Sequence, residues 1–218
     1  MHNGEKYVAE SIESALDQTY RAQEIIVVDD SSTDSTPGII KKYHQRIKYC
    51  FKSNGGTASA RNRGVELASG AYFAFLDHDD IWSRNKLELQ VAAFRAEPGL
   101  AMTFGYLQQF HSPELDMESK RRRYCAQEPI PGVLASTMMV TRSAFSRIGS
   151  FEVSWQLGEW SDWYIQAVES GLKIRVLPEV LAYRRLHERN KGVVKREFLR
   201  EYPRMLKASL DRRRANSG

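Results

Sequence analysis

The sequence predicts an α/β domain with a mainly parallel, Rossmann-like sheet flanked by helices. Short apolar runs rich in β-branched residues alternate with helical segments through the first 107 residues. Two of these runs end in acidic residues, Asp29-Asp30 after "IIVV" and 77–80 after "YFAFL". Ligands of parallel α/β sheets lie beyond the carboxyl ends of the strands, so we expect both acidic clusters to face one site.

The elements of the first half follow in order. Residues 5–17 carry apolar side chains at helical spacing, and 24–30 has the composition of a buried parallel strand. Further along we expect a helix within 31–45, a strand at 47–52, a helix within 53–70, a strand at 71–76, a helix after Ser83 and a strand at 100–107. This alternation implies right-handed βαβ crossovers.

The pattern loosens after residue 108. Residues 108–130 combine turn formers and charges without a clear period, which indicates a mobile or substrate-dependent loop. Beyond it we expect a strand and a short helix within 134–151, a helix at 159–172, a strand at 173–178 and an amphipathic helix from about residue 193. The predicted organisation is one domain over 1–192 and a basic helical tail over 193–218.

The net charge and its distribution limit the kinds of partner that the protein is expected to bind. The 218 residues include 32 Lys and Arg against 27 Asp and Glu, a net charge of +5, and the excess concentrates at 120–123 and 195–214. Such clusters can face nucleic acid, anionic lipid or a phosphorylated substrate, and a solvated helix face is an equally good explanation. No aromatic-studded RNA motif accompanies them, so we expect no nucleic acid partner.

The sequence favours a cytoplasmic location. No apolar run approaches the roughly 20 residues that span a bilayer, and the first residues lack the pattern of a signal peptide. Cys50 and Cys125 lie far apart and outside any CxxC pair, which fits a reducing compartment. The basic tail adds the expectation of a peripheral contact with the inner membrane face.

The second acidic cluster poses an electrostatic problem. Asp77, Asp79 and Asp80 place three carboxylates within four positions, and like charges this close repel. A divalent cation would relieve the repulsion, and a nucleoside diphosphate could bind beside carboxylates only if Mg²⁺ or Mn²⁺ lay between them. The alternative is a turn followed by a helix cap; it accounts for Asp80 but leaves the other two unexplained.

A family resemblance emerges from motifs in a fixed order. The stretches "NGEKYVAESIESALDQTY", "EIIVVDDSSTDST", "NGGTASARNRG", "FLDHDDIW" and "YRRLHERN" resemble those of family 2 glycosyltransferases with the GT-A fold. The resemblance covers nearly the whole chain and implies a GT-A domain, with a nucleotide-sugar half at 1–107 and an acceptor half at 108–192. It implies inverting, metal-dependent transfer from a UDP- or GDP-sugar to a saccharide, lipid-linked or other glycoconjugate acceptor.

One departure concerns the start of the domain. Relatives have a strand of the type "VSVIIPVYN" before "NGE", whereas this sequence starts at "MHNGE". We therefore expect the N-terminal strand of the fold to be missing. Loss of a central strand exposes the edges of its neighbours and removes buried area, so we expect the chain to be poorly stable.

The resemblance also implies a donor site. Asp30 corresponds to the aspartate that holds the donor base or ribose, Asp29 would assist it, and Arg61 would lie near the nucleotide. Considered without the family, a strand-end aspartate is often a helix cap, and an arginine on a helix commonly forms a surface ion pair.

The metal site is implied by the same comparison. Asp77 and Asp79 match the DxD pair, with Asp79 coordinating Mg²⁺ or Mn²⁺ and Asp77 contacting ribose or metal. His187, in "RRLHERN", aligns with a histidine that in some relatives reaches the metal or diphosphate. A lone histidine in a polar stretch is otherwise a surface residue.

The catalytic base is expected in "GEWSDW". An inverting transfer needs a carboxylate that takes the proton of the acceptor hydroxyl. Glu159 and Asp162 match the outer acids of the family's "EDxD" stretch, but Trp160 replaces the aspartate usually credited as base. We favour Asp162 and keep Glu159 as the second candidate; a helix cap and a helix-dipole partner are the structural alternatives.

Two other functions remain open at this stage. Trp160 and the absent strand favour a catalytically impaired module that binds a sugar nucleotide or a partner. A phosphotransferase of the haloacid-dehalogenase type also places aspartates after a strand, but its DxDx(T/V) pattern is not matched by "DHDDI".

Overall fold

The computed structural model describes residues 1–190 and 201–216, and their strands form two sheets. In the first, β1 (Ile26–Asp30) pairs in parallel with β2 (Lys48–Lys52). The second has the order β3 (Tyr72–Ala74), β7 (Met139–Thr141), β5 (Leu100–His111), β8 (Lys173–Leu186), β4 (Ile81–Trp82), with β6 (Ile130–Gly132) attached to β5.

The second sheet is mixed, whereas the sequence predicts mainly parallel pairing. Among its described pairs only β5 and β8 run in parallel. Strands β3, β4, β6 and β7 are two or three residues long and pair antiparallel with their neighbours. Short strands carry little period of their own, so their direction depends on neighbours distant in sequence.

Most helices lie close to the positions expected from hydrophobic spacing and turn residues, and the exception falls within 108–130. The helices are α1 (Val8–Leu16), α2 (Thr36–Ile40), α3 (Gly56–Leu67), α4 (Lys86–Ala96), α5 (Met117–Arg122), α6 (Arg142–Ile148), α7 (Glu159–Glu169) and α8 (Glu201–Asn216). Pro37 occupies the first turn of α2, where its missing N–H costs nothing. Thr141 caps α6 by accepting a hydrogen bond from the Ala144 N–H.

Two regions differ from the sequence prediction. The stretch 108–130 contains the end of β5, all of α5 and the start of β6, so it is more ordered than a loop. Strand β8 continues to residue 186 instead of ending at 178, because it pairs with β5 along its length and with β4 near its end. The predicted boundary between domain and tail, at 192 and 193, lies outside the described residues.

A gap separates the two sheets beside β1. On that side Met1 donates its N-terminal ammonium to Val28 O (2.8 Å), and Asp30 N donates to Met1 O (2.7 Å). In the described parts of the chain no strand joins β1 to β3. The gap is part of a cleft of about 1490 Å³ whose walls include Val27, Val28 and Phe73.

The hydrophobic core consists of three clusters between the helices and the strands. Phe104, Phe145, Phe151 and Trp163 pack where α6 and α7 cover the second sheet. A second cluster joins α4 to β8, and a third joins α1 to β1. In the part of the chain that the structure covers, no helix has the length and apolar character needed to cross a membrane.

Candidate active site

Asp30 lies at the carboxyl end of β1 and is buried among donors. Its Oδ1 accepts from Lys52 Nζ (2.7 Å) and Gly55 N (2.9 Å), and its Oδ2 accepts from Gly56 N (2.7 Å). Burial would raise the pKa of Asp30, but Lys52 and the two backbone N–H groups outweigh it, so the pKa lies below its ordinary value. The carboxylate fixes the 53–56 loop at the cleft wall.

Asp29 points to the opposite side of β1 and is fully buried. It accepts from Ser32 N (2.9 Å) and from the Tyr49 hydroxyl (2.9 Å). Burial, together with this hydrogen bond, raises the pKa of Tyr49 to about 12. Asp29 is not among the residues that line the cleft, so its contribution to the site is to hold the turn after β1.

Residues 77–80 form a turn, closed by a hydrogen bond from Asp80 N to Asp77 O (3.1 Å). Asp80 is buried; its Oδ2 accepts from Ser136 Oγ (2.7 Å) and its Oδ1 accepts from Arg185 N (3.3 Å). Burial and the charges of Asp79 and Asp77 raise the pKa of Asp80 to about 8. The prediction that Asp80 caps the next helix is wrong, because α4 begins at Lys86.

Asp79 lies close to a histidine from the far end of the chain. Its Oδ2 is 2.9 Å from His187 Nε2 and accepts from Asn190 Nδ2 (3.4 Å). Burial would raise the pKa of Asp79, but the hydrogen bond to His187 and the charges of His78 and His187 lower it. The structure therefore brings together Asp79 and His187, two of the three residues that the resemblance relates to the metal. His78, which separates Asp77 from Asp79, lies against Gly4, where a Cβ atom would come within 2.6 Å of the ring.

Arg61 connects the acidic turn to α7. Its Nη2 donates to Asp77 Oδ1 (2.8 Å), and its Nη1 lies 3.5 Å from Glu159 Oε1. Nη1 itself makes no hydrogen bond within the described residues. Although burial works against the charged form, Asp77 and Glu159 raise the pKa of Arg61. The arginine is thus a buried bridge and not a surface ion pair.

The two candidate bases face different surroundings. Glu159 is buried at the cleft wall beside Arg61. Asp162 does not line the cleft; its Oδ2 accepts from Gln166 (3.0 Å), and its Oδ1 accepts from Arg212 of α8 (3.4 Å). The geometry therefore favours Glu159 over the residue preferred from sequence.

Three tryptophans near this helix differ in exposure to the cleft. Trp163 is fully buried and donates to Gly149 O (2.8 Å), so it is a core residue. Trp160 stacks on Trp163, donates to Val133 O (3.1 Å) and reaches the cleft with one edge. Trp155 lines the cleft, with the Arg204 guanidinium 5.6 Å from its ring centroid. Of these three, Trp160 and Trp155 reach the cleft and Trp163 does not.

A network of buried hydrogen bonds at residues 136–138 supports the acidic turn. Three successive carbonyls accept from buried side chains: Ser136 O from Trp82 Nε1 (2.8 Å), Thr137 O from Gln90 Nε2 (2.8 Å) and Met138 O from Lys86 Nζ (3.2 Å). Lys86 is fully buried, which lowers its pKa well below the ordinary value. The network fixes the segment that presents the Ser136 hydroxyl to the acidic turn.

Comparison with known proteins identifies the family. The family described as "Glycosyl transferase family 2" matches residues 1–149 of the chain. The chain belongs to glycosyl transferase family 2. The family suggested by the ordered motifs is confirmed.

Relatives in this family match the chain over different lengths. "Uncharacterized glycosyltransferase RP339" of Rickettsia prowazekii is 47% identical over 91 residues, covering 42% of this chain and 29% of its own length. "UDP-Glc:alpha-D-GlcNAc-diphosphoundecaprenol beta-1,3-glucosyltransferase WfaP" of Escherichia coli is 31% identical over 196 residues, covering 85% of this chain and 74% of its own. The chain thus spans under a third of the Rickettsia protein and about three quarters of the Escherichia one.

Solved structures of low identity share the GT-A fold. TarS 1–349 of S. aureus in complex with UDP-GlcNAc superposes with a TM-score of 0.68 at 22% identity, covering 88% of this chain and 58% of that one. Mannosyltransferase PcManGT from Pyrobaculum calidifontis, in complex with GDP-Man and Mn²⁺, gives 0.65 at 19% identity, covering 89% and 57%. The predicted fold class is confirmed.

The donor atoms in the cleft suit a cation shared with a diphosphate. Within residues 1–190 and 201–216, no three His, Cys, Asp or Glu side chains converge on one metal position. Asp79 and His187 supply a carboxylate oxygen and an imidazole nitrogen to the same place. Mg²⁺ in phosphate sites is commonly held by one or two protein carboxylates, with substrate oxygens and water completing its shell. The residues therefore fit such an ion.

Sequence reasoning missed two partners of the acidic residues. Lys52 ends β2 directly beside Asp30, which ends β1, and the pairing register confirms that they are neighbours. The ends of two predicted parallel strands would have suggested this pair. Ser136 carries no such signal, because it reaches Asp80 across 56 residues of chain.

Proposed function

We propose that the chain is an inverting, metal-dependent glycosyltransferase. It moves a sugar from a UDP- or GDP-sugar to a saccharide, lipid-linked or other glycoconjugate acceptor. The supporting observation is the Arg61 bridge, which links Asp77 of the acidic turn to Glu159 of α7 across one cleft. This is the arrangement expected when the leaving diphosphate and the acceptor hydroxyl must lie on two sides of one anomeric carbon.

The donor side uses residues from both sheets. Asp30 and the loop that it fixes would hold the base or ribose, and Asp77 would contact ribose. Asp79 and His187 would hold Mg²⁺ or Mn²⁺, with Asp77 close by. When bound, the ion supplies positive charge that neutralises the departing nucleoside diphosphate.

The acceptor side uses Glu159 as base. The carboxylate takes the proton of the acceptor hydroxyl as that oxygen attacks the anomeric carbon, and the bond to the diphosphate breaks with its electron pair leaving on the phosphate oxygen. Arg61 holds Glu159 in position through their ion pair. Asp162 supports the helix through Arg212 and Gln166.

The proposed class of acceptor is taken from a relative. The printed name of WfaP specifies a diphosphoundecaprenol-linked acceptor. We extend this class to the present chain as a lipid-linked acceptor, used in the cytoplasm with a peripheral contact at the inner membrane face. The charge of +5 agrees with an anionic surface as the partner.

Donor turnover tests the proposal. Purified protein is incubated with UDP-glucose, UDP-GlcNAc or GDP-mannose, with Mn²⁺, Mg²⁺ or a chelator, and nucleoside diphosphate release is measured. We expect release from at least one donor that requires the ion and disappears in Asp79→Ala. Asp17→Ala, an exposed aspartate at the end of α1, is the matched control and should retain the activity.

A binding module is the second candidate. Trp160 occupies the position of the family's usual base, and the gap beside β1 widens the cleft. Calorimetric binding of UDP or GDP without turnover of any donor would favour this function over the first.

A further inference from the structure

Helix α8 carries an apolar stripe that is exposed, most of all at Leu206 and Leu210. Tyr202, Leu206 and Leu210 are exposed by 37%, 58% and 53%. They recur every four residues, so they lie along one side of the helix. Leaving three large apolar side chains in water forgoes the free energy of burying them, which indicates that this side contacts another phase or molecule.

The opposite side of α8 is fixed to the catalytic part of the domain. Glu201 is buried and accepts from the backbone N–H groups of Gln156 (3.0 Å) and Leu157 (2.9 Å). Met205 is also buried and packs against Gly158, where a Cβ atom would come within 2.5 Å of the Met205 methyl group. These contacts hold the residues just before Glu159, and they prevent the helix from turning its apolar stripe inward.

Cations accompany the stripe. Residues 201–214 carry five Lys and Arg and two acidic side chains, a net charge of +3, and Glu201 is already used inside. On a helical wheel Lys207 and Arg214 lie to one side of the stripe, whereas Arg213 lies in line with it and pairs with Glu169. Apolar side chains bordered by basic ones are the pattern of a helix that lies in the plane of an anionic bilayer.

We infer that α8 lies on an anionic lipid surface, with Tyr202, Leu206 and Leu210 in the headgroup region. The proposed function gives this contact its purpose, since a lipid-linked acceptor is presented at that surface, but the contact itself depends only on α8. Arg204 over the ring of Trp155 places the first turn of the helix beside the cleft. Seating α8 on lipid therefore brings the cleft and Glu159 close to the bilayer.

Lipid fits this surface better than a second protein molecule. A stable protein interface buries roughly 800 Å² on each partner, which one stripe of three side chains does not supply. Basic residues flanking the stripe would have to be matched by acidic groups on a protein partner, whereas anionic headgroups provide that charge at any position along the helix.

Vesicle sedimentation tests the inference on the full chain. We expect the protein to bind vesicles of phosphatidylcholine and phosphatidylglycerol, and to bind pure phosphatidylcholine weakly. Leu206→Ser/Leu210→Ser should weaken binding by about tenfold or more. Lys207→Glu/Arg214→Glu should weaken it by at least about fivefold per cation and reduce its salt dependence.

Matched controls lie outside α8. Val176→Ser changes an exposed valine of β8, and Lys42→Glu reverses an exposed lysine after α2; both should bind like the unchanged protein. Circular dichroism and UDP binding in the presence of Mn²⁺ should be unchanged in the α8 double variants.

The outcomes test the lipid contact of α8 separately from the proposed function. Equal binding to neutral and anionic vesicles, or binding that survives both double variants, overturns the inference. A monomer–dimer equilibrium that the leucine substitutions abolish also overturns it, because the stripe is then an interface between copies. Vesicle binding without any binding of UDP or GDP contradicts the proposed function and leaves the lipid contact standing.

Discussion

Asp30 and Asp79 both follow strands that end at the cleft, yet their carboxylates have different partners. Asp30 accepts from one ammonium and two backbone N–H groups, all from the adjacent strand and loop. Asp79 has two neighbouring carboxylates in its own turn, and one of them, Asp80, has a pKa raised to about 8. The Asp30 carboxylate is engaged on both oxygens by donors of the protein, whereas Asp79 lies in a cluster of carboxylates, a kind of site that suits a cation.

A large effect on the metal requirement is expected from exchanging the aspartates for asparagine. Asp79→Asn should raise the Mn²⁺ concentration for half-maximal activity at least about 100-fold, because the amide is a poorer ligand. Asp30→Asn should instead weaken nucleotide binding and leave the Mn²⁺ requirement nearly unchanged. Titrating Mn²⁺ by electron paramagnetic resonance and UDP by calorimetry measures both; equal metal loss in the two variants would remove the distinction.

Arg61 connects the acidic turn of Asp79 to α7, where the base is expected. Glu159→Gln should lower kcat by about 10²- to 10⁴-fold with donor binding retained, since the amide cannot take a proton. Asp162→Asn should retain most of the turnover and lower the melting temperature, because it weakens the contact with Arg212. Full turnover by Glu159→Gln together with loss in Asp162→Asn would reverse the assignment.

The raised pKa of Asp80 predicts a pH-dependent stability. From about pH 4 to about pH 8 the folded protein keeps a proton that the unfolded chain, with a carboxyl pKa near 3.8, has released. The contribution of Asp80 to the free energy of unfolding is therefore present at low pH and is lost as pH rises through this window. Asp80→Asn should remove this slope in urea unfolding measured across the range. If the free energy of unfolding changed with pH in the same way in both proteins, the proposed difference in the pKa of Asp80 between the folded and unfolded states would be wrong.

The smallest effect concerns the first strand end. Lys52→Met removes one of three donors to Asp30 and should cost about 1–2 kcal/mol of unfolding free energy. The matched control is Lys48→Met on the same strand, whose exposed pair with Glu24 should contribute less than about 1 kcal/mol. Chemical denaturation measures both; a larger loss in the control would mean that Asp30 does not depend on Lys52.

Local patterns predicted the elements that carry the site. The apolar run before Asp29-Asp30, the glycine loop before Arg61 and the helix over 159–172 all lie close to the observed β1, α3 and α7. These elements have strong periods or strong turn residues, so their formation depends little on distant neighbours. The role of Asp80 was misassigned, because its partners Ser136 and Arg185 come from other parts of the chain.

The sequence alone determined which residues are candidates: the paired aspartates, Arg61, the acids of "GEWSDW" and His187, in the order of a known family. Only the tertiary structure decided which of them face one another. His187 contacts Asp79 across 108 residues of sequence. Arg61 of α3 contacts the acidic turn and α7. Asp162 pairs with Arg212 of α8 and does not line the cleft. Such contacts depend on packing and on pairing of short strands, and no local period of the sequence encodes them.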